Sequence, residues 1–96
     1  MSTNAILCLP PMLDLHTAER LKAEFRSCEG APLDIDARNV ERVGGLCLQI
    51  LIAAANAWRK AGQELRVLGA SPAFVEDIRV MGAEALLPIR EESAAC

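Results

Sequence analysis

The sequence predicts an α/β layer fold. Short apolar runs of strand length alternate with amphipathic helical patterns, and the turns between them are short and marked by Gly or Pro. The composition fits such a layered domain, with 52% hydrophobic residues but only 3% aromatic, so Leu, Ile, Val and Ala must fill the core. The 96 residues suffice for one domain. A chain of this size buries roughly two-thirds of its unfolded surface without needing metals or disulfides.

Ala5 to Leu9 reads as a short buried strand, stopped by Pro10 and Pro11. Met12 to Leu15 adds a brief extended piece. A helix is expected from His16 or Thr17 to Cys28, because Ala18, Leu21, Phe25 and Cys28 recur at i, i+3, i+7 and i+10. Asp14 or Thr17 caps its start and Gly30 ends it. Leu33 to Ala37 alternates apolar residues with Asp34 and Asp36, the period of a strand. Gly44 and Gly45 break the chain before a long helix that runs to Ala61 and closes at Gly62. Glu64 to Leu68 is a third strand. Ser71-Pro72 opens another helix, with Ser as N-cap and Phe74, Val75, Ile78 and Met81 as its apolar stripe. Gly82 ends it. Ala85 to Ile89 is expected as a last strand and residues 90–96 as a frayed tail.

Ten basic against thirteen acidic residues give a net charge of −3. The charges are interspersed, and three aromatics make no stacking platform, so nucleic acid is a poor partner. The N-terminus lacks the charged and apolar regions of a signal peptide. The most apolar stretch, Leu46 to Ala57, is about 12 residues, whereas a bilayer span needs roughly twenty. A cytoplasmic protein without membrane insertion is expected. Cys8, Cys28, Cys47 and Cys96 form no C-x-x-C pair, and His16 is the lone histidine, so no metal site of usual spacing can be written. The first three cysteines are expected as small core residues and Cys96 as a tail thiol.

The helix from Leu46 to Ala61 carries the most information. At 100° per residue Cys47, Leu51, Ala54 and Trp58 share a core face, with Gln49, Asn56 and Lys60 opposite. Leu46, Ile52 and Ala53 lie within about 60° of the polar centre. An apolar residue there is sheltered by a loop or offered to a partner. The Gly44-Gly45 pair reads as a tight turn with positive φ values or as an anion cradle at a helix start. No P-loop Lys follows it.

Three stretches stand out in order: Leu13-Asp14-Leu15-His16-Thr17-Ala18-Glu19-Arg20-Leu21-Lys22, then Asp36 to Leu48, and Ala70-Ser71-Pro72-Ala73-Phe74 with Val75, Ile78, Met81 and Gly82 behind it. Together they resemble the STAS domain, typified by bacterial anti-sigma-factor antagonists. The resemblance spans nearly the whole chain. It implies one domain over residues 1–96, with a mixed sheet of four or five strands and helices packed on one side. It also implies docking on a regulatory signalling protein through Arg42, Gly44, Gly45, Leu46, Gln49 and Ala53. In switchable members the loop reads D-S-S-G-L, and phosphorylation of the second serine blocks docking. An ungapped match places Leu46 on that serine and Cys47 on the glycine. No hydroxyl residue lies between Asn39 and Ala70, so no phosphorylation site is expected here.

The segment Val40-Glu41-Arg42-Val43-Gly44-Gly45-Leu46-Cys47 is similar to short serine-lacking STAS proteins of alphaproteobacterial chemotaxis operons. That resemblance implies a chemotaxis histidine kinase as partner. An anti-sigma kinase, a lipid-transport ABC ATPase carrying a STAS accessory subunit, and a small ligand or nucleotide are the alternatives. No enzyme is expected: His16 sits among polar neighbours, and Asp34 and Asp36 read as strand-end residues rather than a catalytic pair. No cofactor is called for, and a monomer or weak dimer is expected.

Overall fold

The computed structural model describes residues 4–91. Three strands, β1 (Ala5–Cys8), β3 (Leu33–Asp36) and β5 (Leu65–Leu68), form a parallel sheet in the order β1-β3-β5. Its register sets Leu7 beside Ile35 and Val67, and Leu33 beside Leu65. All five side chains are buried, which a period of two requires of one sheet face. The intervening row, Ile6, Asp34 and Arg66, lies on the opposite face and is more open. A second ladder joins β2 (Met12–Leu13) to β4 (Arg42–Val43), again in parallel, with Leu13 opposite Val43.

Three helices enclose the apolar face. In α1 (Leu15–Ser27) the residues Ala18, Leu21 and Phe25 are buried, as their spacing predicts. Asp14 and Thr17 do not compete for its cap: they share it in a capping box. The Asp14 carboxylate accepts from His16 N at 3.0 Å, and Thr17 Oγ1 accepts from Asp14 N at 3.0 Å. In α2 (Gly45–Lys60) the four expected core residues are buried, and Leu48 and Ile50 join them. Trp58 anchors this layer, donating from Nε1 to Ala31 O at 2.8 Å and meeting Phe25 edge-on at 6.1 Å between centroids. In α3 (Pro72–Val80) Ser71 Oγ accepts from Phe74 N at 3.0 Å, the N-cap that Ser-Pro signals.

The observed structure departs from the sequence-based expectations in several places. The principal sheet has three strands, and every pairing among the described residues is parallel, where a mixed sheet of four or five was implied. Residues 84–86 form a 3-10 turn, and only Ile89 reaches β5, as a single parallel bridge to Val67, so the expected strand over 85–89 is absent. Pro88 accounts for its brevity, since it has no N–H to extend a ladder. Only Phe74 and Ile78 of the α3 stripe are buried; Val75 and Met81 are 41% and 39% exposed. A helix of nine residues on the domain's edge buries a narrow face. Cys47 is fully buried and Cys28 partly so, but Cys8 is exposed and disulfide-bonded instead of packing in the core. Alternation explains its exposure: Leu7 takes the inward position on β1, which turns Cys8 outward. Cys96 and most of the expected tail lie outside the described residues. Among those described, no helix is long and apolar enough to cross a membrane.

Candidate functional site

The β2–β4 ladder delivers two helix starts to the same place. Leu13 and Val43 are paired and buried; immediately after them come Asp14, which opens α1, and Gly44, which opens α2. Gly44 N donates to Leu13 O at 2.7 Å. One turn into α2, the Cys47 thiol donates to Asp14 O at 3.3 Å and lies 3.7 Å from Thr17 Oγ1. The two helix N-termini are therefore stitched together by Asp14, Gly44 and Cys47. Each presents a leucine outward: Leu15 is 74% exposed and Leu46 46%. Met12, opposite Arg42 in the ladder, adds a third exposed apolar side chain.

The sequence-derived residues map onto this surface as follows. Leu46 faces outward at the α2 start. Gln49 and Ala53 are exposed and continue along the same helix face. Arg42 is exposed beside Met12, and Gly45 is exposed at the first helical position. Gly44 is half-buried and faces inward, so it shapes the surface instead of contributing a side chain to it. Its φ of −85° is ordinary extended backbone, and neither glycine of the pair has the positive φ expected of a tight turn. The requirement at 44 is steric. A Cβ there would stand 2.9 Å from Leu13 O, whereas one at 45 would meet nothing within 4 Å.

Met12, Leu15 and Asp77 belong to the site and were not legible in the motif. Leu15 carries a signal that could have found it: at 100° per residue it lies roughly 80° off the centre of the Ala18–Leu21–Phe25 stripe. Asp77 arrives from α3, where its Oδ2 accepts from Val43 N at 2.9 Å. Val43 is flanked by Arg42 N, donating to Pro11 O, and Gly44 N, donating to Leu13 O, both directed at β2. Its own N–H points to the other edge of β4, and Asp77 satisfies it there.

The carboxylates of β3 have partners within the fold. Asp34 receives both Arg66 Nε and Nη2 at 2.9 Å, and Asn4 Nδ2 at 3.2 Å. The Arg66 hydrogen bonds outweigh burial and hold the Asp34 carboxyl below its ordinary value, with Asn4 assisting. Asp36 is buried, accepts from Arg38 N at 3.0 Å through Oδ1, and has Arg38 Nε 3.4 Å from Oδ2 without hydrogen-bond alignment. The two aspartates occupy successive positions on one face of β3, Asp34 half-buried and Asp36 buried, with separate partners. His16 is exposed at the α1 start. Among the described residues no cluster of three His, Cys, Asp or Glu side chains could hold a metal ion.

What the arrangement offers chemically is an apolar knuckle of Leu15, Leu46 and Met12, bordered by Arg42 and Gln49 and carried on two rigid helix starts. A protein-family model described as "Mlab, STAS domain" matches residues 5–88, which takes in every element of the fold except the last bridge. No curated protein matches the chain.

Proposed function

The chain belongs to the STAS domain family, and from that premise we propose that it is a non-enzymatic module docking on a regulatory protein through the Leu15–Leu46 knuckle. The observation that carries this reading is the outward Leu46 at the α2 start. Burying such a leucine in an interface contributes roughly 1.5–3 kcal/mol, which corresponds to about ten- to a hundredfold in affinity. No hydroxyl at position 46 can take a phosphoryl group, so the contact has no phosphorylation-driven off state there.

The partner we favour is a histidine kinase of the chemotaxis type, on the resemblance of Val40 to Cys47 to the serine-lacking STAS proteins. The experiment is affinity purification of the tagged full chain from lysate of its source organism, beside a Leu46→Asp variant. A chemotaxis kinase recovered with the parent chain and lost with the variant is the expected result. Loss of nothing on substitution removes the docking surface. An anti-sigma kinase or a transport ATPase recovered in its place keeps the surface and replaces the partner. Thermal shift against nucleotides and inorganic phosphate tests the ligand-binding alternative, for which a flat response is expected.

A further inference from the structure

A second surface begins at Ala53 and runs toward the ends of α1 and α2. There α1 and α2 border a shallow groove, two adjoining depressions of about 180 and 240 Å³ that share Glu29, Ala57 and Trp58. Its floor is apolar: Phe25 from α1, with Ala53, Ala57 and Trp58 from α2. Alanines at 53, 57 and 61 follow the i, i+4 row of a helix surface, the groove into which a ridge of another helix packs. Small side chains in that row allow close approach of a second helix axis.

The α2 side of the groove carries no acidic residue. From Arg42 to Gln63 the chain runs 22 residues without Asp or Glu, although it holds thirteen acidic residues in all. Arg26 lines the groove from α1, and Lys60, three positions after Ala57 on α2, stands beside its alanine row; both are exposed and have no acidic side chain within ion-pair distance among the described residues. Lys22, further along α1, is already paired with Glu19 at 3.2 Å. Among the described residues Glu29 is the lone acid on the lining, just past the end of α1. An apolar channel flanked by free cations complements a ligand that is apolar on one side and anionic on its borders.

We propose that this groove is a docking surface for an amphipathic α-helix of a partner protein whose flanks carry Glu or Asp. Its apolar ridge seats above Ala53 and Ala57 against Phe25 and Trp58, and its acidic flanks reach Arg26 and Lys60. The surface adjoins the Leu15–Leu46 docking face at Ala53 but includes neither Leu15 nor Leu46.

Trp58 is the sole tryptophan, so its emission reports on the groove. The full chain is titrated with two synthetic helical peptides of about 16 residues, some 24 Å long. They share one Leu/Ala face and carry either Glu or Lys on both flanks. The Glu peptide is expected to shift Trp58 emission and to bind about tenfold more tightly than the Lys peptide at low salt, as two modest charge pairs would give. The preference should shrink with added salt. The double variant Arg26→Glu, Lys60→Glu should invert the preference, and Leu46→Asp should leave it unchanged. Equal affinity for the two peptides, no binding by either, or a preference that survives the double charge reversal overturns the proposal. A preference abolished by Leu46→Asp also overturns it, by placing the peptide on the knuckle.

Discussion

Gly44 and Gly45 are adjacent in sequence and opposite in tolerance. A methyl at 44 would press on the backbone oxygen of Leu13 at 2.9 Å, and neither strand of the two-residue ladder has length to spare for a shift. Gly44→Ala is expected to cost about 1–3 kcal/mol, the range for overpacking a fitted contact. Gly45 opens α2 with empty space where a Cβ would go, so Gly45→Ala should stabilise by about 0.4–1 kcal/mol through the unfolded chain. Urea unfolding of the two variants reads both signs in one experiment. Equal effects would mean that conformational freedom, not the Leu13 carbonyl, is what selects glycine at 44. Asp34 supplies a second test at this scale. Its folded-state pKa is depressed by Arg66, so its contribution is present above the unfolded value and is lost as pH falls through the folded one. Parent and Asp34→Asn should differ at pH 7 by about 1 kcal/mol, a figure kept small by the partial exposure of the pair. The difference should close at a pH below the folded-state value; a gap that stays constant down to pH 2 would locate the effect elsewhere.

At the scale of elements, what the sequence made legible follows from how strong each local signal is. Helices α1 and α2 announced themselves through apolar periodicity over 13 and 16 residues, and α3 through a Ser-Pro start. The strands of the main sheet are visible because each is a short apolar or alternating run with Pro or Gly close by. β4 was not, because two residues carry no period, and Arg42 and Val43 pair only because β2 arrives beside them. The docking motif pointed to Leu46, but its companions Leu15 and Met12 come from a segment some thirty residues earlier, joined to it by pairing that no single-element pattern contains. Asp77 illustrates the same point with a consequence. Its carboxylate satisfies Val43 N from a different helix, pinning the strand that leads into α2. Asp77→Ala leaves that N–H without its acceptor and should cost about 1–3 kcal/mol. Asp77→Asn, which keeps a carbonyl oxygen, should cost less. Hydrogen exchange at the Val43 amide distinguishes local from global loosening: it should accelerate in Asp77→Ala well beyond the fall in global stability. Unchanged protection would show that the amide is guarded by packing alone.

For the whole molecule, layering separates what holds the fold from what is offered outward. Leu7, Leu33, Ile35, Leu65 and Val67 of β1, β3 and β5 pack with the helices on one sheet face, while Leu15 and Leu46 stand at the starts of α1 and α2, outside that core. Removing their apolar character should therefore leave folding nearly intact. The helix positions reinforce this, because an acidic side chain in the first turn is favoured by the helix dipole, by about 0.3–1 kcal/mol. Leu15→Asp and Leu46→Asp should each keep the melting temperature within a few degrees of the parent, a shift that corresponds to less than about 1 kcal/mol. Each should nonetheless weaken the captured regulatory partner by about tenfold or more, since a charge would be driven into an apolar contact. Ile6→Lys, on the open sheet face beside Asp34, serves as the control that changes an exposed apolar residue away from the knuckle. Binding by isothermal titration with the purified partner separates the cases. Losses at 15 and 46 with none at 6 place the interface on the two helix starts. Losses at 46 alone confine it to α2, and equal losses at all three would attribute binding to general surface hydrophobicity, not to a fitted site. Because Asp14 and Cys47 tie the two helix starts together, the double variant should fall short of the sum of the single effects, as neighbouring positions in one contact do.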